Sequence, residues 1–186
     1  MKKLIAVLAV LCLLCASFAA LAEAPAEAVT EKASFSNGVR FGMTQAEVIA
    51  IEGAPAETDT ESTKGMVTFA ELEYKQVPDA LLNNAIVDRK YLFVEDKLVA
   101  IRIDFDIKSI AYEMVKEALA AKGELVTPDF TTLGNGVFAV DDDGTPELNS
   151  LAHIDELNHL MTVLELDADG DDVDITILDL DADYLK

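Results

Sequence analysis

The chain has no tryptophan, two cysteines, two histidines and only 14 lysines and arginines among its 186 residues. Each shortage closes off a class of function. Affinity for phosphate is built from clustered basic side chains. With 14 of them against 35 acidic ones, a formal charge of −21 and a pI near 4.2 exclude electrostatic binding of nucleic acid or of an anionic membrane. Both cysteines, Cys12 and Cys15, fall inside a leading segment with the marks of a secretory signal peptide. Met1-Lys2-Lys3 is its basic start, Leu4 to Ala20 its apolar run, and Ala20-Leu21-Ala22 a small-x-small cleavage site. The run is at the short end of the roughly 20 residues a spanning helix needs, which favours a cleaved leader over a retained anchor. A lipoprotein would carry a small residue before its acylated cysteine. Here Leu11 precedes Cys12 and Leu14 precedes Cys15, so no lipid anchor is expected.

Removing residues 1–22 takes away both cysteines and two lysines, leaving 164 residues with 12 basic and 35 acidic groups, a balance of −23. The processed chain then has no disulfide, no thiolate nucleophile and no cysteine-ligated metal, and its stability must come from an apolar core. That length suffices for one domain or two small ones. Residues 23–34, rich in Ala and Glu and without large apolar side chains, read as a flexible tether.

Order begins near Phe35. Thr44 with Glu47 three residues on forms a capping box, Met43 and Val48 occupy the positions of a hydrophobic staple, and Gly53 then Pro55 make a stop. The spacing predicts a short helix, Gln45 to Glu52. Gly42 reads as a structural corner, because the lysine and second glycine of a phosphate loop are absent. Thr58 to Gly65 is polar. Met66, Thr68, Ala70, Leu72 and Tyr74 then fall on one side of a strand with Glu71, Glu73 and Lys75 opposite, until Val77-Pro78 interrupts. Asp79 to Asn84 reads as a helical turn. Val99, Ile101, Ile103 and Phe105 alternate with Ala100, Arg102, Asp104 and Asp106 in the clearest strand, paired through a turn at Glu95-Asp96-Lys97 with Ile86 to Val94. One face is expected to be buried and the other wet.

A second cycle follows. Ser109 caps a helix from Ile110 to Lys122, with Ile110, Met114, Ala118 and Leu119 inward and Gly123 as its stop. Gly136 to Val140 reads as a short strand. Leu148, Leu151, Ile154 and Leu157 predict a helix within Thr145 to Asn158. Leu160 to Leu166 and Val173 to Leu180 form a last hairpin. The halves align at offsets of 70 (Glu47–Gly53 on Glu117–Gly123), about 71 (Lys64–Phe69 on Asn135–Phe138) and 74 (Val99–Phe105 on Val173–Asp179), the pattern of a diverged tandem repeat. The expected architecture is α+β: two units, residues 35–107 and 108–186, each with helix packed on one face of an antiparallel sheet.

The stretch Gly38 to Pro55, in which Gly42-Met43-Thr44, Glu47-Val48 and Gly53-Ala54-Pro55 precede a meander of strands, resembles the SmpA/OmlA (BamE-like) family within the β-lactamase-inhibitor-protein-like (BLIP-like) fold group. The likeness covers motif and element order in residues 35–106 and element order alone in 107–186. It implies helices on one face of an antiparallel sheet and, in tandem members, a concave surface that docks another protein. The family's lipid-attachment site has no counterpart in this chain, and no contact residues carry over.

Catalytic chemistry has little to work with. His153 and His159, six apart, point to different sides of a helix, no G-x-S-x-G elbow exists, and both read as surface histidines. Close carboxylates are expected in so acidic a chain without glycosidase function. The chain therefore reads as a non-enzyme without cofactor. Calcium is the alternative: Asp141-Asp142-Asp143-Gly144 and Asp167 to Asp174 offer hard oxygens, but Asp172 stands where an EF-hand needs glycine and Leu178 where it needs its closing Glu, and an Asp-Gly turn explains the same residues. The remaining candidate is the polar face of the sheet, carrying Arg102, Asp104, Asp106, Asp174 and Thr176 by alternation. On that basis the chain is expected to be an exported, extracellular or periplasmic protein-binding module, its partner a basic protein.

Overall fold

A computed structural model describes residues 38–64, 67–79, 85–106, 112–127, 150–166 and 172–182. Two short helices, α1 (Gln45–Glu52) and α2 (Tyr112–Ala120), accompany seven strands: β1 (Glu57–Lys64), β2 (Val67–Asp79), β3 (Ala85–Val94), β4 (Lys97–Asp106), β5 (Leu151–Asp155), β6 (Leu160–Leu166) and β7 (Asp172–Asp179). All pair antiparallel in one sheet of order β1-β2-β3-β4-β7-β6-β5. The fold is α+β. The β4–β7 ladder is the one described junction between the β1–β4 meander and the β5–β7 meander.

The local signals behave as the residue chemistry requires. Thr44 accepts from the Glu47 backbone N–H at 3.3 Å while its own N–H donates to Glu47 Oε2 at 2.9 Å, so both halves of the capping box form. Gly53 takes φ 89° and donates to Ile49 O at 2.9 Å, ending α1. Gly42, at φ 83°, lies in the left-handed region that glycine occupies without strain. That bend lets its N–H donate to Leu98 O while Leu98 N–H donates to Met43 O, both at 2.8 Å, and docks the corner on β4. The turn between β3 and β4 has Glu95 and Asp96 at φ 51° and 60°, which suits the right-handed twist of a two-residue hairpin. Asp96 also accepts from Gln45 N–H at 3.1 Å.

Both described helices pack on one face. Val48 of α1 and Val115 and Leu119 of α2 join Leu72, Tyr91, Ile101, Ile103, Phe105, Leu164 and Val173 in the larger core. The other face departs from the expectation of a uniformly wet surface. Phe69, Leu92, Val99, Ala100, Ala152, Met161, Val163 and Leu178 form a second buried apolar cluster there. Ala100, placed on the solvent side by alternation, is wholly buried. The sheet thus sandwiches apolar groups on both faces at one end and keeps charge for the other.

Three further sequence expectations need correction. Glu57–Lys64, a stretch read only as polar ahead of the strand alternation, is itself a strand: as the sheet's edge it needs no apolar alternation, and residues 57–60 are exposed. β2 runs through Val77-Pro78 to Asp79. Pro78 is tolerated because β1 ends its pairing at Glu73, leaving that side of β2 unpaired, and a register shift between Tyr74 and Val77 absorbs Gln76 at φ 53°. The helix expected within 145–158 is instead β5, Leu151–Asp155, followed by a turn. Asp155 accepts from the N–H groups of Leu157 and Asn158, both at 3.1 Å, reversing the chain into β6, and pairing with β6 overrides the threefold apolar spacing. The leader, the tether, the strand expected at 136–140 and the clusters at 141–144 and 167–171 lie outside the described residues.

Candidate functional site

The face opposite the two described helices carries a charged band built by register alone. In a strand, alternate residues share a face, and residues directly opposite on neighbouring strands stand about 5 Å apart. One row runs Glu73–Lys90–Arg102–Thr176–Val163 across β2, β3, β4, β7 and β6. The next runs Asp88–Asp104–Asp174–Glu165 across β3, β4, β7 and β6. A mixed row therefore lies against four successive carboxylates.

Arg102 is the hub. Its Nε donates to Asp104 Oδ1 at 3.1 Å and its Nη2 pairs with Asp174 Oδ2. Burial disfavours its charge, but Asp174 and Asp104 outweigh that and keep the guanidinium firmly protonated. Lys90 Nζ lies 3.7 Å from Asp104 and 3.8 Å from Glu73, and Lys75 lies 3.3 Å from Glu73. Ser150 Oγ donates to Glu165 at 3.2 Å. Arg102, Asp104 and Asp174 are thus brought together as alternation requires. Thr176, directly opposite Arg102, is buried and underpins the band. Asp106 pairs with Asp172 at the end of the ladder.

Sequence reasoning named five of these positions and missed Lys90, Glu73, Asp88 and Glu165. The β3 alternation was legible, so Lys90 and Asp88 were within reach. Glu165 was hidden inside Leu160–Leu166, where apolar residues occupy both faces.

A second ionic group sits on the helix face. Arg89 Nη2 pairs with Asp79 Oδ2 at 2.5 Å and its Nη1 with Glu52 Oε1 at 3.0 Å, while Tyr91 Oη donates to Glu52. Burial pushes the Tyr91 phenol well above its usual range, so it stays a donor. Tyr74, edge-on to Tyr91 at 5.7 Å, donates to Gly53 O at 2.9 Å. These contacts tie the C-terminal end of α1 to β2 and β3, which is a structural clamp.

The histidines differ from one another. His159 is exposed and faces Asp181 at 2.9 Å. His153, expected at the surface, is half-buried against Gly123, where a Cβ would stand 2.6 Å from its Cε1, and its Nδ1 has no partner among the described residues. Gly123, expected as the stop of α2, lies three residues past its end at Ala120 without a positive φ and is glycine for space. Among the described residues no three His, Cys, Asp or Glu side chains converge as metal ligands, and no helix is long and apolar enough to cross a membrane.

No protein-family model matches the chain and no curated protein matches it. Among solved structures it is similar to a DUF4309 family protein (YjgB) from Bacillus subtilis subsp. subtilis str. 168, with 11% identity, a TM-score of 0.44, and 90% of this chain and 93% of that one covered. It is also similar to an extracellular protein containing a SCP domain from Bacillus anthracis str. Ames, with 14% identity, a TM-score of 0.40, and 87% of this chain covered. The match spans 50% of that second protein.

Proposed function

We propose that the protein is an exported, non-catalytic binding module that docks a basic protein on the charged band of the sheet face opposite its two described helices. The observation that carries this is the segregation of the sheet: both described helices lie on one side, and the other side carries Glu73, Asp88, Asp104 and Asp174, half-buried, beside Lys90 and Arg102 on a seven-stranded frame, with Glu165 buried at the end of the row. An acidic surface of this kind steers a positively charged partner and fixes its orientation more than it adds affinity. The basic start, apolar run and cleavage site of residues 1–22 support export.

Two related units, as in tandem BLIP-like proteins, form part of this proposal, as does kinship with the SmpA/OmlA family through residues 38–55. Support for the repeat comes from strand order. In β1-β2-β3-β4-β7-β6-β5 the last strand of each unit meets the other at the centre, as a twofold axis normal to the sheet would arrange. The 74-residue offset places that axis on Arg102 opposite Thr176, which are themselves 74 apart and near the middle of the β4–β7 ladder.

The test is affinity capture from culture supernatant and envelope extract with the protein lacking residues 1–22, alongside a charge-reversed Glu73→Lys/Asp88→Lys form checked for folding by circular dichroism. One stoichiometric basic protein retained by the first and lost by the second is the expected result. Identical captures, or none, would remove the docking reading.

A further inference from the structure

We propose that Asp104 and Asp174 share one proton across the β4–β7 ladder, making the junction between the two halves of the sheet sensitive to pH. The proposal does not depend on the docking partner. It rests first on placement. The two carboxylates stand directly opposite each other, in the one described ladder that joins β1–β4 to β5–β7. Their side chains are only 28% and 17% exposed, so water screens them poorly. Like charges directly opposite in a sheet destabilise it, and two carboxylates confined to one site relieve that by holding a proton between them.

The described residues around the pair do not supply enough positive charge to ionise both. From β4, Arg102 bonds Asp104 and Asp174 together; from β3, Lys90 reaches Asp104 at 3.7 Å but is also drawn to Glu73 of β2 at 3.8 Å. Against these two cations stand Asp88 on β3, opposite Asp104, and Glu165 on β6, opposite Asp174. Asp172 on β7 lies two residues further along the strand and is exposed. Of these, Asp88 is engaged by the Gln76 N–H at 2.7 Å and Glu165 by Ser150 at 3.2 Å, so both remain fixed beside the pair. Asp104 and Asp174 are therefore the middle two of four aligned carboxylates sharing an arginine and part of a lysine.

The proton resides on Asp174. Burial pushes its carboxyl up, its bond to Asp104 adds to this, and Arg102 opposes, leaving it at about 8. Burial also works to raise Asp104, but the bond from Asp174 and the charges of Arg102 and Lys90 overcome it and hold that carboxyl low. Protonated Asp174 donates to Asp104, and Arg102 closes the triangle. The two groups titrate as a pair with one proton between them. Unfolded, both ionise in the ordinary carboxylate range near 4. Folding thus takes up a proton between roughly pH 4 and 8, and the stability this gives is complete at acid pH and drains away as pH rises toward 8. Above that, the bond across the junction is replaced by two facing charges and the band gains one negative charge.

Urea denaturation of the purified protein from pH 5 to 9, with carboxyl-carbon NMR of its aspartates, tests this. In the wild type the unfolding constant should rise by up to about tenfold per pH unit between 5 and 7 from this pair, and one Asp carboxyl carbon should titrate above pH 6. Asp174→Asn, whose amide donates to Asp104 at every pH, should flatten that slope and leave no such carbon. Asp104→Asn should move the titrating carbon downward and weaken the slope by another route, because Asp174 keeps its burial, Glu165 and Arg102 but loses the bond to Asp104 and its charge. Glu165→Gln should keep both signals. A wild type with no Asp carboxyl titrating above pH 6 would overturn the proposal, as would either Asn variant that retains the full slope. Should the variants fail to fold, the wild-type carboxyl titration decides alone.

Discussion

Arg89 and Arg102 occupy opposite faces of the same sheet, on neighbouring strands, and each stands between two carboxylates, yet they perform different tasks. Arg89 is 8% exposed and its partners come from different layers, Asp79 from β2 and Glu52 from α1. Both partners pair with Arg89, and Tyr91 supplies a further donor to Glu52. Arg102 is 21% exposed, and its partners lie side by side on β4 and β7, where two charges would repel each other. The same three groups, one guanidinium and two carboxylates, therefore make a fixed clamp when the acids are held apart and a titrating junction when they are opposed. What distinguishes them is where the backbone places the acids, not the residue types.

The largest effect should come from breaking the clamp. Arg89→Met keeps the apolar stem and leaves Asp79 and Glu52 buried without their cation, the case in which a buried pair is costly to halve. Chemical denaturation at pH 7 should show a loss of about 3–5 kcal/mol, with α1 released first. A loss below about 1 kcal/mol would mean that the clamp carries no more than a surface pair does. Next in size is Arg102→Met. Its acids are partly wetted and share a proton, so less uncompensated charge remains. A loss of roughly 1–3 kcal/mol at pH 7 is expected, growing as pH rises because Asp174 then ionises beside Asp104. The corresponding loss for Arg89→Met should vary less between pH 6 and 9. If the two variants track each other with pH, the contrast between clamp and junction fails.

A smaller steric effect sits away from both arginines and checks that charge is what separates them. Gly123→Ala drives a methyl to 2.6 Å from His153 Cε1, an overpacking expected to destabilise by about 1–3 kcal/mol. His153→Ala should relieve it in the double variant, and neither change should alter the pH slope assigned to Asp104 and Asp174. Urea midpoints of the two singles and the double measure the coupling, and additive losses would refute the contact.

Much of this arrangement was legible from alternation. In β3 and β4 the period of two places Tyr91, Ile101, Ile103 and Phe105 on one side and Lys90, Arg102 and Asp104 on the other, and the turn residues between the strands set the register that makes them neighbours. The capping box and staple located α1 to the residue. Alternation failed where burial is two-sided: Leu92, Ala100, Met161, Val163 and Leu178 pack on the face expected to be wet, and a strand covered on both sides shows no periodicity to read. It failed again at β5, where Leu151, Ile154 and Leu157 have helical spacing but pairing with β6 decides. The clamp was illegible for a different reason. Arg89 reaches Asp79 and Glu52 over 10 and 37 residues, and nothing local in Asp88-Arg89-Lys90 separates the buried charge from its neighbours except which face each position takes.

The smallest expected effect bounds the comparison from the other side. Lys75 lies 2.5 Å from Glu57 and 3.3 Å from Glu73, a contact as short as that of Arg89 with Asp79, but Lys75 and Glu57 are 43% and 65% exposed. At the edge of the sheet, solvent and salt screen the attraction, and ordering two long side chains offsets most of what is left. Lys75→Met should leave the melting temperature unchanged within measurement, and added salt should not move it relative to wild type. If instead Lys75→Met destabilised as much as Arg102→Met, distance rather than burial would set the worth of an ion pair in this sheet. The Arg89 and Arg102 groups would then differ for a reason other than how far their acids are kept from water and from each other.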